Sequence, residues 1–513
     1  MTGDTYVGAI DQGTTGTRFM VFDHSGQVVA SAYEKHEQIY PQPGWVEHDP
    51  VEIWENTKSV MTTALSEAGI DADQLAAIGV TNQRETTVLW DEASGRPVHN
   101  ALVWQDRRTT DRVEELQEAG MEGTIREKTG LEVDAYFSAT KAEWILENAD
   151  PLKLEAAQVQ DVRGRAVEGE VLFGTIDTWV IHKLTGNHIT DVTNASRTML
   201  YNIHEADWDD ELLEEFDVPK ACLPEVRPSS DDEYYGHTDP EGFLGAEVPV
   251  AGALGDQQAA LFGQTCFDPG DAKNTYGTGS FFLMNTGEEA VASDHGLLTT
   301  IAFQRSGEPI NYALEGAIFI TGAAVEFLED IGLIKSAAQT SELASRVDTT
   351  DGVYFVPALT GLGAPHWDGR ARGTIVGMTR GTKKEHLVRA TLEAIAYQTR
   401  DVAEAMQADS GIDMGKLRVD GGAVKNDFLC QLQADILDTD IVRPVVDETT
   451  ALGSAYAAGL AVGYWESVDG LRDNWQIDRE FAADGDAEAI DANYERWTEA
   501  VERSLDWARE GSE

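Results

Sequence analysis

The segment AIDQGTTGTR at residues 9–18 points to the fold of this chain. It joins a short apolar strand, Tyr6–Ile10, to another, Arg18–Asp23, through a turn rich in glycine and threonine. A similar segment, NTYGTGSFF at residues 274–282, lies just past mid-chain and also joins apolar strands. Because two halves open with the same strand, turn and strand, the sequence predicts a duplicated α/β fold with a cleft between the halves.

Both turns carry groups that can hold phosphate oxygens. Glycine leaves backbone N–H groups open, and threonine or serine adds a hydroxyl. Two ordinary β-turns are the alternative, but the matching places of the turns in the two halves favour a phosphate clamp. The residues concerned are Thr14, Thr15, Gly16 and Arg18 in the first turn, and Gly277, Thr278, Gly279 and Ser280 in the second.

Short apolar strands alternate with amphipathic helices along the rest of the chain, as in other α/β proteins. The hydrophobic periodicity predicts further strands at Gln27–Ser31, Leu75–Thr81 and Thr87–Asp91, and helices at Val51–Glu67 and Thr382–Gln407.

A division between the halves is predicted where Pro249 and several glycines interrupt the pattern, near Val248–Gly255. We therefore expect an N-terminal domain at 1–252 and a C-terminal domain at 253–513, the latter ending in acidic helices. No low-complexity linker separates them. The two domains are therefore expected to share an interface.

Charge excludes several classes of partner. The 513 residues include 38 Lys and Arg against 91 Asp and Glu, a net charge of −53. Nucleic acids and anionic membranes attract proteins of the opposite sign, so neither is expected as a partner. The acidic excess is spread along the chain, which indicates adaptation to high salt, where screening makes self-repulsion tolerable. An ordinary acidic cytosolic protein is the alternative.

Cysteine usage and the N-terminus favour a soluble, cytoplasmic protein. Cys222, Cys266 and Cys430 form no CxxC pair, so neither a zinc site nor a disulfide framework is predicted. The sequence shows no basic leader and no apolar run of about 18 residues that would indicate a membrane helix.

Several common nucleotide and metal motifs are missing from the sequence. No GxxxxGK[ST], no HExxH and no HRD loop paired with DFG occurs. Any nucleotide chemistry is therefore neither of the P-loop nor of the protein-kinase type. A third glycine turn, DGGAVKN at 420–426, stands between a predicted strand and helix and suits a flat ligand at a helix N-terminus. A tight β–α turn explains it equally well.

The candidates for acid–base chemistry are Asp11, Glu85 and Asp256. Asp256 follows a glycine before an apolar helix, where an aspartate is often only an N-cap. Arg84 and Glu85 stand together at a strand end, where such a pair is usually a solvated salt bridge of little energetic value. At the mouth of a cleft, the same pair could bind hydroxyls, with Arg84 donating and Glu85 accepting.

At these residues the chain resembles the FGGY carbohydrate kinases of the actin/Hsp70/sugar-kinase superfamily, and within them the branch that acts on glycerol, including its salt-adapted archaeal members. The resemblance implies two duplicated ribonuclease H-like domains of the actin-like ATPase type, with a catalytic cleft between them. The matching segments run in the family's order: AIDQGTTGTR (9–18), TNQRET (81–86), YFSATKAEWIL (136–146), GDQQAALFGQ (255–264), NTYGTGSFF (274–282), LEGAIF (314–319), GLGAPHWD (361–368) and DGGAVKND (420–427).

The resemblance also implies a reaction and a set of roles: ATP-dependent phosphorylation of glycerol to sn-glycerol 3-phosphate, with Mg²⁺ and with Asp256 as general base. Homo-oligomers, dimers or tetramers, are usual in the family. Motif position implies glycerol contacts from Arg84, Glu85, Trp104, Tyr136, Asp256, Gln257 and Phe281; nucleotide contacts from Thr14, Thr15, Gly16, Arg18, Thr278, Gly322, Gly422 and Asn426; and metal contacts from Asp11 and Asp256.

Four residues depart from the family's pattern. Gly16 replaces a common serine, which removes one hydroxyl donor, and Glu326 stands near the nucleotide where many relatives have glutamine, so no role is assigned to it. Glu247 takes the place of an arginine found in members inhibited by fructose 1,6-bisphosphate, and Glu233 takes the place of a phosphorylatable histidine. We expect neither control to operate in this protein.

Two rival functions remain open at this point. One is a different FGGY kinase that acts on a pentulose or another polyol, against which Arg84, Glu85 and Phe281 argue. The other is an actin- or Hsp70-like ATPase that turns over ATP without a polyol. The set of hydroxyl-binding residues argues against that second rival.

Overall fold

The first half of the chain is built on a six-stranded mixed sheet, here called the first sheet. In the computed structural model, which describes residues 5–149 and 161–508, three of its strands run parallel and place their C-terminal ends at one edge. From one side to the other, the strands are Gly236–His237, Pro249–Gly255, Leu75–Asn82, Tyr6–Gln12, Gly16–Phe22 and Val28–Lys35.

The second half repeats this arrangement in a seven-stranded sheet, here called the second sheet. Ala272–Tyr276 forms a hairpin with the following strand and runs parallel to the strand on its other side. The order is Leu298–Phe303, Asn311–Ile318, Ser280–Gly287, Ala272–Tyr276, Leu417–Gly421, Ile441–Pro444 and Ile477–Phe481.

The two sheets share one topology. In each, a first strand pairs antiparallel with the second and lies parallel to a later strand of the same half. The second strand also has an antiparallel partner on its other side, which is the next strand of the chain in the first sheet and Asn311–Ile318, one strand further on, in the second sheet. The predicted duplicated α/β fold is therefore confirmed, because strands such as Tyr6–Gln12 and Ala272–Tyr276 occupy the same place in their sheets.

Sixteen α-helices are assigned within residues 5–149 and 161–508. They are Pro50–Ala68, Thr110–Glu118, Glu122–Thr129, Ser138–Asn148, Val162–Val167, Ile176–Thr185, Val192–Ala195, Asp210–Glu215, Asp256–Gly263, Gly322–Asp330, Gln339–Ala344, Lys384–Ser410, Asp427–Leu437, Thr449–Ala461, Val468–Asn474 and Ala487–Glu502.

Short elements complete the description. Three 3₁₀ turns span Ala72–Gln74, Lys220–Cys222 and Gly422–Lys425. Small sheets contain the strands Glu47–His48, Ala101–Leu102, Thr87–Asp91, Arg96–Pro97 and Val171–Thr175; Ile189–Asp191 with Glu225–Arg227; Tyr201–Asn202 with Asp207–Trp208; and Tyr354–Val356 with Thr374–Val376.

The halves meet along two helices that cross with their backbones in contact. Gly263 of the helix Asp256–Gly263 packs on the Thr449 carbonyl, and Gly453 of the helix Thr449–Ala461 packs on the Ala259 carbonyl. A side chain at either glycine would overlap backbone atoms, so this close approach requires glycine. A continuous apolar core surrounds the crossing, so the halves share an interface as expected.

The strand Pro249–Gly255 bears on the predicted domain division. It pairs with Leu75–Asn82 inside the first sheet, so a boundary at residue 252 would cut a strand of that sheet. The division stays a prediction, and we propose to move it after the helix Asp256–Gly263. The terminal residues 1–4 and 509–513, which the predicted domains include, lie outside the described residues.

No helix among residues 5–149 and 161–508 combines the length and the apolar character that crossing a membrane requires.

Candidate active site

The first glycine–threonine turn is held by side chains behind it. Gly13 N–H donates to the Gly16 carbonyl at 3.0 Å, and His36 Nε2 and Gln38 Nε2 each donate to the Thr14 carbonyl at 2.9 Å. A Cβ at Gly16 would lie 2.5 Å from the Glu34 carbonyl oxygen. The neighbouring strand therefore leaves no room for the serine common in the family at this position.

The remaining predicted members of the first turn point in different directions. Thr14 Oγ1 accepts a hydrogen bond from Trp104 Nε1 at 3.0 Å, whereas Thr15 Oγ1 lies 3.3 Å from the exposed Tyr33 hydroxyl. Arg18 forms an ion pair with Glu448. The turn is thus connected to the predicted glycerol residue Trp104.

The second turn is also closed by a backbone hydrogen bond between two of its glycines, and it borders a cavity. Gly277 N–H donates to the Gly279 carbonyl at 2.8 Å, and the Thr278 carbonyl accepts from Thr321 at 2.9 Å. Gly322 N–H donates to the Gly277 carbonyl at 3.0 Å, which joins the turn to the start of the helix Gly322–Asp330.

This cavity, here called the nucleotide cavity, has a volume of about 650 Å³. It brings together the predicted nucleotide residues Thr278, Gly322, Gly422 and Asn426. Asn426 caps the helix Asp427–Leu437 and donates to Thr340 Oγ1 at 3.1 Å. The lining also includes Tyr276, Gly277, Val325, Glu326, Glu329, Ala337, Ala338, Thr340, Ser341, Leu392, Ala423, Lys425, Asp427 and Leu429.

The predicted acid–base residues converge because of the sheet. Parallel strands place Gln12, Asn82 and Gly255 side by side at the C-terminal edge of the first sheet. Asp11 precedes the first of these residues, Arg84 follows the second by two positions, and Asp256 follows the third directly. Ligands of open α/β sheets bind at such an edge.

Asp256 is the first residue of the helix Asp256–Gly263, and its N-cap is Gly255. The aspartate is therefore not the simple N-cap that such a position suggests. Its Oδ1 accepts from Gln257 N–H at 2.7 Å and lies 3.2 Å from Arg84 Nε. Among the hydrogen bonds and ion pairs of the described residues, none involves the other oxygen, Oδ2.

Arg84 is not the solvated half of a surface pair, because only 2% of it is exposed. Its main partner is Glu315, which it contacts with both terminal nitrogens, at 2.6 and 2.9 Å. Its Nε lies 3.8 Å from Glu85 and its guanidinium lies 5.7 Å from the Phe281 ring centre. The arginine thus joins three predicted glycerol residues, Glu85, Asp256 and Phe281.

Glu85 is buried and has a left-handed backbone with a φ of 60°, an unfavourable conformation for a residue with a side chain. The hydroxyls of Ser138 and Thr87 donate to its carbonyl at 2.9 and 3.0 Å and hold this conformation. Its carboxylate accepts from Arg197 Nε at 2.7 Å. Strain of this kind is often stored at functional sites.

Three further predicted glycerol residues line the same region. Trp104 and Tyr136 meet edge to face with ring centres 5.5 Å apart. The side chain of Gln257 accepts from Lys273 Nζ at 2.6 Å. Burial lowers the pKa of this fully buried lysine to about 8, although Asp420 and Asp256 oppose the shift.

Asp11 and Asp256 are electrostatic neighbours. Loss of solvent raises the pKa of Asp11 to about 7; Arg18 opposes this shift, and Glu448 and Asp256 add to it. Burial likewise raises the pKa of Asp256, against the influence of Arg84 and Lys273. Two carboxylates that repel each other form a donor set that a divalent cation would stabilise.

Sequence reasoning missed three charged residues in this region: Arg197, Lys273 and Glu315. Glu315 lies in the matching segment LEGAIF, but neither periodicity nor adjacency gives it a role. Although burial raises the pKa of Glu315, Arg197 and Arg84 together lower it to about 2. All three residues are fully buried. A charge inside an apolar strand is the signal that could have identified Lys273 and Glu315, whereas Arg197, in the turn after the helix Val192–Ala195, gives no such signal.

Comparison with known proteins places the chain among carbohydrate kinases. The N-terminal domain of the FGGY family of carbohydrate kinases matches residues 6–263, and the C-terminal domain of that family matches residues 272–462. Together they cover most of the chain.

Individual relatives match over their full length. The chain is 80% identical to the glycerol kinase of Haloquadratum walsbyi over 99% of both chains. It is 74% identical to the glycerol kinase of Haloferax volcanii, over 99% of this chain and 100% of that one. Among solved structures, the Plasmodium falciparum glycerol kinase with ADP superposes with a TM-score of 0.90 at 37% identity, over 98% of both chains.

Proposed function

Because the chain belongs to the FGGY family of carbohydrate kinases, we infer that it transfers the γ-phosphoryl group of ATP to glycerol and forms sn-glycerol 3-phosphate. The observation that carries this inference is the full-length likeness to the Haloquadratum walsbyi glycerol kinase. Arg84 and Glu85, which are buried, and the partly exposed Asp256 lie together at the edge of the first sheet and have the chemistry that such a reaction needs.

The test is a coupled assay of ADP formation with ATP and a panel of polyols in molar KCl. We expect glycerol to have the highest kcat/KM. A higher kcat/KM for a pentulose would assign the chain to another FGGY kinase. ATP turnover that needs no polyol would instead indicate an ATPase. Either result would contradict the proposed function.

In the proposed reaction, a glycerol hydroxyl oxygen bonds to the γ-phosphorus while the bond from that phosphorus to the β–γ bridging oxygen breaks. Asp256 accepts the hydroxyl proton, and ADP leaves with the bridging oxygen. Oδ1 of Asp256 is held by Gln257 N–H and Arg84 Nε. This arrangement supports Oδ2 as the oxygen that takes the proton.

Glycerol recognition rests on fixed donors and acceptors. Arg84 donates to hydroxyl oxygens, and Glu85, held in its strained conformation, accepts from hydroxyl groups. Trp104, Tyr136, Gln257 and Phe281 complete the pocket. A buried site of this kind rejects molecules that lack a hydroxyl, because its own polar groups would then stay unpaired.

The nucleotide lies across the two glycine–threonine turns. Backbone N–H groups and hydroxyls of Thr14, Thr15, Gly16 and Thr278, with Arg18, hold its phosphates. Adenosine occupies the nucleotide cavity between Gly322, Gly422 and Asn426. Closure of the halves over both substrates excludes water and limits hydrolysis of ATP.

Asp11 and Asp256 would hold Mg²⁺. Within the part of the chain that the structure describes, no group of three or more His, Cys, Asp or Glu side chains gathers as a metal site. Two carboxylates suffice, since Mg²⁺ in kinases keeps several waters and takes its other ligands from substrate phosphates. When bound, the ion neutralises phosphate charge and orients the γ-phosphate.

Salt is expected to strengthen the binding of ATP. A net charge of −53 repels the anionic nucleotide, and this repulsion reaches further when few ions screen it. The KM for ATP should therefore fall as KCl rises from low concentration to about 1 M, where the Debye length is about 3 Å. Steady-state kinetics at each salt concentration, with circular dichroism to show that the protein stays folded, would measure it. A KM that does not change would contradict this explanation.

Fructose 1,6-bisphosphate is expected not to inhibit. Glu247, exposed on the first half, carries a negative charge that repels a bisphosphate. Control by phosphorylation is not expected either, because position 233 holds a glutamate, exposed and paired with Arg227 at 3.0 Å, in place of a phosphorylatable histidine. The check is the rate of glycerol phosphorylation with and without millimolar fructose 1,6-bisphosphate. Inhibition below the millimolar range would contradict the expectation.

The homo-oligomer that the resemblance implies, and the cytoplasmic location that the cysteine usage and the N-terminus favour, stay predictions. Sedimentation equilibrium in molar KCl would test the first, and fractionation of the source cells would test the second.

A further inference from the structure

Four buried charges form one connected network behind the proposed glycerol residues. Glu315 accepts two hydrogen bonds from Arg84, at 2.6 and 2.9 Å, and a third from Arg197 at 3.2 Å. Arg197 also donates to Glu85 at 2.7 Å. All four residues are at most 2% exposed, so water does not screen their interactions.

The network connects the two halves of the molecule. Arg84 and Glu85 follow the strand Leu75–Asn82 of the first sheet, and Arg197 follows the helix Val192–Ala195 of the same half. Glu315 lies in the strand Asn311–Ile318 of the second sheet. A single carboxylate of the second half therefore sets the position of two arginines of the first.

The geometry determines which atoms stay available for a ligand. Glu315 accepts one N–H from each terminal nitrogen of Arg84, and Gln258 accepts the other N–H of Nη1 at 3.2 Å. The Nε of Arg84 contacts Asp256 at 3.2 Å, so the second N–H of Nη2 is the donor that can reach a hydroxyl. Arg84 and Arg197 both approach Oε1 of Glu85. Among the contacts of the described residues, none involves Oε2 of Glu85, which can accept from a hydroxyl.

We propose that Glu315 and Arg197 are positioning residues that fix the hydroxyl-binding geometry of Arg84, Glu85 and Asp256, and thereby set the selectivity for a triol. The proposal rests on glycerol being the substrate. Neither residue touches glycerol; each acts through the residue it holds. Misplacing a binding group by about 1 Å can cost about 100-fold in rate.

The test compares Glu315→Gln, Glu315→Asp and Arg197→Lys with the wild-type protein. The readouts are KM for glycerol, KM for ATP, and the ratio of kcat/KM for glycerol to that for the propanediols, each of which lacks one hydroxyl. For Glu315→Gln, we expect kcat/KM for glycerol to fall by about 100-fold, and the ratio by about tenfold or more. KM for ATP should change by less than about threefold, since Glu315 does not line the nucleotide cavity.

The conservative variants separate positioning from folding. Glu315→Asp keeps the carboxylate and should recover part of the selectivity that Glu315→Gln loses. Arg197→Lys keeps the charge but loses the guanidinium that spans Glu85 and Glu315, so its selectivity should fall with little change in KM for ATP. If Glu315→Gln does not fold, these two variants decide the question.

Glu393→Gln is the matched control. Glu393 is also a buried carboxylate of the second half, and it pairs with Arg389 at 2.8 Å, but it does not line the nucleotide cavity or touch the network. Its selectivity ratio should equal that of the wild-type protein, whatever its thermal stability.

Two results would overturn the proposal. One is a wild-type selectivity ratio in both Glu315→Asp and Arg197→Lys. The other is a loss that affects glycerol and ATP equally and follows thermal stability across all variants, Glu393→Gln included. Failure of the proposed function itself would look different, because the wild-type protein would then not prefer glycerol.

Discussion

Replacing Asp256 with asparagine is expected to lower kcat for glycerol phosphorylation by about a thousandfold, within the range of general-base catalysis. The amide has nearly the shape of the carboxylate, but it cannot take a proton from the attacking hydroxyl. It also removes one of the two carboxylates that would hold Mg²⁺. The coupled assay of ADP formation at saturating glycerol, ATP and Mg²⁺ measures the effect. Glycerol-induced thermal stabilisation would show that the variant folds and still binds.

Asp49→Asn is the matched control for this substitution. Asp49 also stands at the start of a helix, where its side chain accepts from Val51 N–H. Asparagine serves as an N-cap as well as aspartate does, so turnover and stability should stay near wild type. Near-normal turnover in folded Asp256→Asn would show that Asp256 is not the general base. A parallel loss in Asp49→Asn would mean that the assay reports helix stability rather than chemistry.

The regular elements could be predicted closely, because their signals are local. The strand at Thr87–Asp91 has its predicted bounds. The helix predicted at Thr382–Gln407 spans Lys384–Ser410, and its apolar positions from Val388 to Met406 face the core. Hydrophobic periodicity and turn glycines depend only on residues close together in the chain, so they can be identified from the sequence alone.

Sequence adjacency was a poor guide to the charged residues of the site. Arg84 and Glu85 are neighbours in the chain, yet Arg84 has its main partner at Glu315, 231 positions away. Glu85 has its main partner at Arg197, 112 positions away. Only the topology of two sheets brings these residues together, and a single sequence carries no record of that pairing.

The sequence also does not reveal that the charged residues of the site are buried. A charged pair at a strand end is usually solvated. Here Arg84 and Glu85 lie under the second half of the molecule, so their contacts act in surroundings of low polarity. Lys273 also sits inside a strand of the second sheet, where alternation alone would place an ordinary core residue.

Replacing Gly422 with leucine is expected to abolish nucleotide binding in a protein that stays folded. A Cβ at this position would meet no atom within 4 Å, because Gly422 borders the nucleotide cavity. The Cβ of a leucine therefore fits beside its neighbours, and the rest of the side chain would extend into space proposed for adenosine. We expect KM for ATP to rise by about 100-fold or more, since the nucleotide would lose its apolar contacts. Glycerol-induced thermal stabilisation should persist, because none of the predicted glycerol residues lines the nucleotide cavity.

Gly123→Leu is the control that matches this change in size. Gly123 lies exposed in the helix Glu122–Thr129 of the first half, and a Cβ there also meets nothing within 4 Å. Its KM for ATP should stay within about twofold of wild type, since surface substitutions away from special features change little. If Gly422→Leu bound ATP normally, adenosine would have to lie outside the nucleotide cavity. If Gly422→Leu also lost the thermal stabilisation by glycerol, the substitution would have disturbed both halves. The glycerol site and the nucleotide cavity would then not be independent of each other.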